Sequence, residues 1–146
     1  MSRTEDRRTA ERWLMAAEAD LAAARALLNA GFFAHACFTA QQCGEKALKA
    51  LWHLSGEDAW GHSIQKLAMQ FPGRSYVADL SAWIEKGARL DRHYIPTRYP
   101  NGLPDLTPAE SYFQPDAEEA INLAAYLLAE CRRWFEAFPP QGWPSS

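Results

Sequence analysis

The chain has 146 residues, a formal net charge of −3 and 48% apolar side chains. That length suits one domain with a real core. The mildly acidic balance excludes a generally basic nucleic-acid binder, so any anion site has to be local.

Alanine and leucine are abundant and favour helix. The first predicted helix covers about Thr4 to Asn29, with Trp13, Ala17, Leu21, Ala24 and Leu28 recurring at steps of three and four. Asn29-Ala30-Gly31 stops it, with the glycine as a left-handed cap. The short connection makes the next helix antiparallel. That second helix covers about Phe32 to Leu54. Its stripe is Phe33, Ala36, Ala40, Cys43, Ala47, Ala50 and Leu51, interrupted by Gln41, Gln42, Glu45, Lys46 and Lys49. A loop through Trp60, Gly61 and His62 leads to Ser63, a candidate cap for a short helix carrying Ile64, Leu67, Ala68 and Phe71. Pro72-Gly73 breaks it, and a further helix is expected from about Ser75, with Asp79 in its first turn.

After Tyr94, Pro96 and Pro100 disfavour helix at the residues before them, and Asn101-Gly102 is a turn signal. Thr107-Pro-Ala-Glu110 is a candidate capping box for one brief turn. Pro115-Asp116-Ala-Glu118 opens the last long helix, whose stripe runs through Ala117, Ala120, Ile121, Ala124, Leu127, Leu128, Cys131 and Phe135. The tail from Phe138 is too rich in proline to continue the helix and is expected to be loosely held. No segment alternates as a strand does. The expectation is an all-α, up-and-down bundle of four main helices plus a short one, with a core of about residues 10–137 in a single domain spanning 1–146.

Cys37, Cys43 and Cys131 are odd in number and lack metal-type spacing, which reads as buried free thiols in a reducing cytoplasm. The charged N-terminal residues lack the apolar core of a signal peptide, and no apolar run is long enough for a membrane span. No metal-ligand set, glycine-rich phosphate loop or nucleophile elbow appears, so no cofactor is expected.

Chemistry concentrates between Arg89 and Gly102. Arg89 and His93, four apart, share one helix face; Arg92 lies beside them and Arg98 can fold back from the loop. Such a group can hold phosphate oxygens in forked hydrogen bonds. It can equally be a helix-end cation cluster balanced by Asp91, Glu85 or Glu45. Glu45 is a candidate to pair with Arg98 or Arg92 and tie the loop to the bundle, with Gln41 beside it. Tyr94 and Tyr99 can stack on a base, close an interface or simply pack. His62 is a modest ligand candidate against a local hydrogen bond at the start of the short helix.

Four stretches in order resemble the HEPN family, the nucleotide-binding domain of higher eukaryotes and prokaryotes. Phe38-Thr-Ala-Gln-Gln-Cys-Gly-Glu-Lys-Ala-Leu-Lys-Ala50 resembles its second-helix signature. Gly61-His62 followed by Leu67 resembles its short third helix. Leu90-Asp91-Arg92-His93-Tyr94-Ile95-Pro96-Thr97-Arg98-Tyr99-Pro100 resembles its second signature, and Asp116-Ala-Glu-Glu-Ala120 the start of its last helix. The resemblance implies a helical bundle, a homodimer through the last helices and the loop region, and for many members a minimal nucleotidyltransferase partner of the toxin–antitoxin type. Some members are metal-independent ribonucleases with an arginine, four to six residues, then histidine. Arg89 and His93 have only three residues between them, and Leu90 follows the arginine, so this chain departs from that pattern. If it cleaved RNA, His93 would serve as the base and Arg89 or Arg92 as the stabilising cation. The leading expectation is a dimeric binding module for a nucleotide or RNA phosphate, with Arg89, Arg92, His93 and Arg98 lining the site and Tyr94 and Tyr99 as walls. The alternatives are the ribonuclease and a purely structural assembly domain.

Overall fold

A computed structural model describes residues 2–145, and no strand occurs among them. Six α-helices follow in order: α1 (Arg3–Asn29), α2 (Phe33–Leu54), α3 (Ile64–Met69), α4 (Leu80–Asp91), α5 (Pro108–Ser111) and α6 (Gln114–Glu136). Single 3-10 turns occupy Arg74–Tyr76 and Pro100–Gly102. No helix among the described residues is long and apolar enough to cross a membrane.

The centre of the bundle is α2, which packs against α1, α3, α4, α5 and α6. Its inward positions explain why. Ala36, Ala40, Ala47 and Ala50 are fully buried small residues that let neighbouring helices approach closely, while Leu48, Leu51 and Leu54 fill the gaps between them. Gly44 marks the tightest point. A β-carbon there would stand 2.8 Å from Ile64 Cδ1 and 3.2 Å from Leu90 Cδ1.

The long helices follow the predicted periodicity, with one rotation. Leu14, not Trp13, joins Ala10, Ala17, Leu21 and Ala24 in the α1 core, and Trp13 lies at the rim stacked on His53 at 5.4 Å. Gly31 takes a φ of 85°, the left-handed geometry its stop signal implied. Between α1 and α6, Arg132 reaches Glu11 at 3.0 Å and also Glu18.

Two expectations need correction. The helix expected from Ser75 is a 3-10 turn followed by a break, and α4 begins only at Leu80. Asp79 precedes the helix as its cap, its carboxylate accepting from the Ala82 N–H at 3.2 Å. Val77 is extended, so the chain cannot run on helically. The tail is also not loosely held within the described residues. Trp143 sits against Trp134, Phe138 and Tyr76 with ring centroids 5.3–6.0 Å apart, and the Tyr76 hydroxyl donates to the Gly142 carbonyl at 3.0 Å. Prolines ended the helix, but the aromatic rings between them drive the tail back onto the bundle.

Candidate functional site

The end of α4, the loop after it and the start of α3 meet against α2. Asp91 makes the junction. One carboxylate oxygen accepts from the Ile64 N–H at 2.8 Å, the other from the Gln65 N–H at 3.0 Å and the Ser63 hydroxyl at 3.1 Å. The last residue of α4 therefore caps the first turn of α3, where orphan N–H groups and the helix dipole favour an anion. Ser63, the predicted cap, also contributes, accepting from the Lys66 N–H at 3.1 Å. Gly87 permits the approach: a β-carbon there would stand 2.8 Å from Ile64 Cγ2 and 3.0 Å from the Gln65 backbone nitrogen. Asp91 is bonded to the start of α3 and does not balance the arginines.

Gln41 lies wholly inside, and its amide donates to the His62 carbonyl at 2.9 Å and to Asp91 at 3.3 Å. Glu45 corrects the sequence reading. It is 4% exposed and pairs with neither Arg92 nor Arg98. Its partners are Lys49 at 3.0 Å, one helical turn away, and His62 Nδ1 at 3.4 Å, with Gln42 donating at 3.4 Å. The carboxylate is thus neutralised locally, as a buried charge has to be. His62 is held by its backbone through Gln41, by its ring edge through Glu45, and by its ring face on Tyr94, 4.8 Å away and nearly parallel at 17°.

The four predicted cationic residues do not form one cluster. Arg89 is bound to Glu119 of α6 at 3.0 Å. His93 turns inward, edge-on to Tyr112 at 5.6 Å, and its Nδ1 has no hydrogen-bond partner. Burial, reinforced by Arg92, pushes its pKa below the usual 6.5 against the opposing pull of Asp116 and Glu119. Arg92 is exposed, and neither it nor Arg98 joins an ion pair among the described residues.

Arg98 has an aromatic cradle. Its guanidinium lies 4.7 Å from the centre of the Phe38 ring, 5.1 Å from Tyr99 and 5.9 Å from Tyr94, and it donates to the Tyr99 hydroxyl at 3.1 Å. The cradle faces a groove of about 560 Å³ lined by His35, Phe38, Thr97, Arg98, Tyr99 and Thr107. The Thr97 hydroxyl donates to the His93 carbonyl, which fixes the loop that presents Arg98. Arg98, Tyr94 and Tyr99 come together, joined by Phe38 and His62, while Arg89 is paired with Glu119 and His93 turns inward. Sequence reading missed Phe38 as part of the site because it sits on a helix otherwise read as core. Among the described residues no group of three or more His, Cys, Asp or Glu side chains is placed to hold a metal ion.

The sequence profile of the HEPN domain matches residues 10–134. This chain belongs to the HEPN family. Among curated proteins it is 29% identical over 129 residues to "Putative toxin MJ1304" of Methanocaldococcus jannaschii, covering 82% of this chain and 83% of that one. Among solved structures it is similar to TT1696 of Thermus thermophilus, at 41% identity and a TM-score of 0.79 over 85% of this chain and 96% of that one. It is also similar to an archaeal HEPN homologue, at 35% identity and a TM-score of 0.72 over 86% and 97%. A HEPN domain protein of Thermotoga maritima follows at 28% identity and a TM-score of 0.66 over 86% and 98%. The matched residues, 10–134, contain the α2–α3–α4 junction and the Arg98 cradle.

Proposed function

We propose that this HEPN protein is a dimeric binding module of the toxin–antitoxin kind, which takes a nucleotide or RNA phosphate at Arg98 and Arg92. The carrying observation is the Arg98 cradle: a cation with no carboxylate partner among the described residues, resting on aromatic faces and opening on a groove. A guanidinium so placed carries no carboxylate and keeps the donors that the Tyr99 hydroxyl does not take for phosphate, while Tyr99 offers a face on which a base can stack. The toxin named among its relatives supports the functional setting. The resemblance supports a minimal nucleotidyltransferase as protein partner, and the three buried thiols fit a reducing cytoplasm. Ile95, Leu106 and Phe113 are large exposed apolar side chains in the loop region that the resemblance assigns to the homodimer contact.

Binding is preferred over RNA cleavage because Arg89 and His93, the pair that shares one helix face, do not meet in a common site. Arg89 is paired with Glu119, and His93 faces Tyr112 from a partly buried position. The test is calorimetric titration with ATP, GTP and a short RNA, beside an RNA-cleavage assay in chelator. Binding that is weakened by Arg98→Ala, without cleavage, is the expected result. Cleavage abolished by His93→Ala would replace this reading with the ribonuclease, and silence in both would leave the protein partner as the ligand.

A further inference from the structure

A pocket lies at the other end of α2 from the Arg98 cradle. Phe38 and Leu54 mark the two ends, about 24 Å apart along the helix. The first turns of α1, the end of α2 and the tail enclose about 450 Å³, lined by Arg3, Asp6, Leu54, Gly56, Phe138 and Trp143 among others. Arg3, Asp6, Phe138 and Trp143 stand outside residues 10–134, so this pocket is built largely from segments beyond the family match.

Asp6 is the side chain that calls for an explanation. It is 9% exposed, and among the described residues its carboxylate joins no ion pair and accepts no hydrogen bond. A β-carbon on Gly56 would stand 3.4 Å from Asp6 Oδ2, so the acid lies against the last turn of α2. Its own helix favours an acid near its start, but the facing C-terminal end of α2 carries negative partial charge and opposes it. That turn closes through the Gly56 N–H on the His53 carbonyl and the Glu57 N–H on the Trp52 carbonyl, both at 3.0 Å. The Leu54 and Ser55 carbonyls accept no backbone N–H among the described residues. A buried carboxylate beside free carbonyls is costly without a cation. Arg3, the cation among the lining residues, is turned to the tail. It donates to the Pro144 carbonyl at 3.4 Å and lies 5.9 Å from the centre of the Phe138 ring.

We propose that this pocket binds a small organic cation, a primary ammonium on an apolar stem. An ammonium has three N–H donors, and the Asp6 carboxylate with the Leu54 and Ser55 carbonyls supplies matching acceptors. Glu57 adds a second negative charge to the lining. The rings of Phe138 and Trp143 and the side chains of Leu54 and Pro72 suit the stem, and aromatic rings also attract the cation itself. The volume is that of a small-molecule site, and a bare metal ion would leave the apolar walls uncovered. Asp6 and Glu57 disfavour an anion. The site is separate from Arg98 and stands whether or not phosphate binds there.

The experiment titrates phenethylammonium and phenethyl alcohol, which differ in the charged donor, into the full chain and into Asp6→Asn, Arg3→Ala and Arg98→Ala by calorimetry. Asp6→Asn keeps the shape of the side chain, and its melting temperature without ligand is expected to be unchanged or raised, since an unpaired buried charge is removed. Phenethylammonium is expected to bind the full chain and to lose about tenfold or more in Asp6→Asn. Phenethyl alcohol should bind more weakly and show no response to Asp6→Asn, while Arg98→Ala should leave both ligands unaffected. Equal binding of the two ligands, indifferent to Asp6→Asn, would overturn the cation site and leave an apolar pocket. Absence of phenethylammonium binding to the full chain would overturn it outright. Equal falls in melting temperature in Asp6→Asn and Arg3→Ala would show that Asp6 already has Arg3 as its partner, which also overturns it. A loss in Arg98→Ala as large as that in Asp6→Asn would contradict the placement at this end of α2.

Discussion

Asp91→Ala is the perturbation that most directly probes how the site is assembled. The Asp91 carboxylate accepts from two backbone N–H groups of α3, at 2.8 and 3.0 Å, and from the Ser63 hydroxyl and the Gln41 amide. A hydrogen bond to a charged group contributes about 1.5–3 kcal/mol when one partner is removed. The bond to Gln65 counts for less, since that residue is exposed and water can replace the acceptor. Ile64 is fully buried, so its N–H has no such substitute. Adding the loss of an anion at a helix N-terminus, the variant should lose about 2–4 kcal/mol. For a chain of this size that corresponds to a fall in Tm of about 6–12 °C. Asp91→Asn keeps one acceptor oxygen without the charge and should retain about half of the lost stability. Urea denaturation and calorimetry measure both. A change within about 0.5 kcal/mol in Asp91→Ala would refute the claim that α4 caps α3.

Gly87→Ala should destabilise by about 1–3 kcal/mol even though alanine is the better helix former, because the added methyl meets the Gln65 backbone as well as Ile64. Circular dichroism melts that show stabilisation would contradict the close approach. His93 is held below its usual pKa by burial, so the unfolded chain takes up the proton first. Its contribution to stability is complete above about pH 6.5 and is lost as pH falls through the lower folded value; His53, also lowered by burial, acts in the same direction. Urea midpoints between about pH 7.5 and 5 should show this loss, and His93→Gln should flatten it. Cys37 and Cys43 have pKa values pushed up to about 12 by burial, and that of fully buried Cys131 is also raised. All three should resist thiol reagents in the folded protein and react together in denaturant; rapid native labelling would show that α2 and α6 open locally.

The long helices were legible because their apolar residues recur at helical spacing and their ends carry Gly31 and Pro115; Ser63 marked the short α3. The loop was legible from Pro96, Pro100 and Gly102. Less visible were contacts between residues distant in sequence. Asp91 reaches a helix start 27 positions earlier, and nothing local distinguishes it from an acid balancing Arg92. Glu45 carried a signal for its true partner, since Lys49 stands one turn along α2, but the arginines drew the pairing elsewhere. The inward turn of His93 depends on Tyr112, and Arg89 is taken by Glu119, both from beyond the loop. Arg98, Tyr94 and Tyr99 stand side by side because the three lie within one short segment. The part played by Phe38 needed α2 to be brought beneath that segment.

The most direct test of the central claim is calorimetric titration of the unaltered protein and of Arg98→Ala with a short single-stranded RNA. Arg98 is exposed, so its loss should leave the fold intact. Loss of a charge-assisted phosphate contact and its aromatic setting should weaken binding by about tenfold or more. Tight binding that Arg98→Ala leaves unchanged would contradict the account and place the RNA site on another face of the bundle.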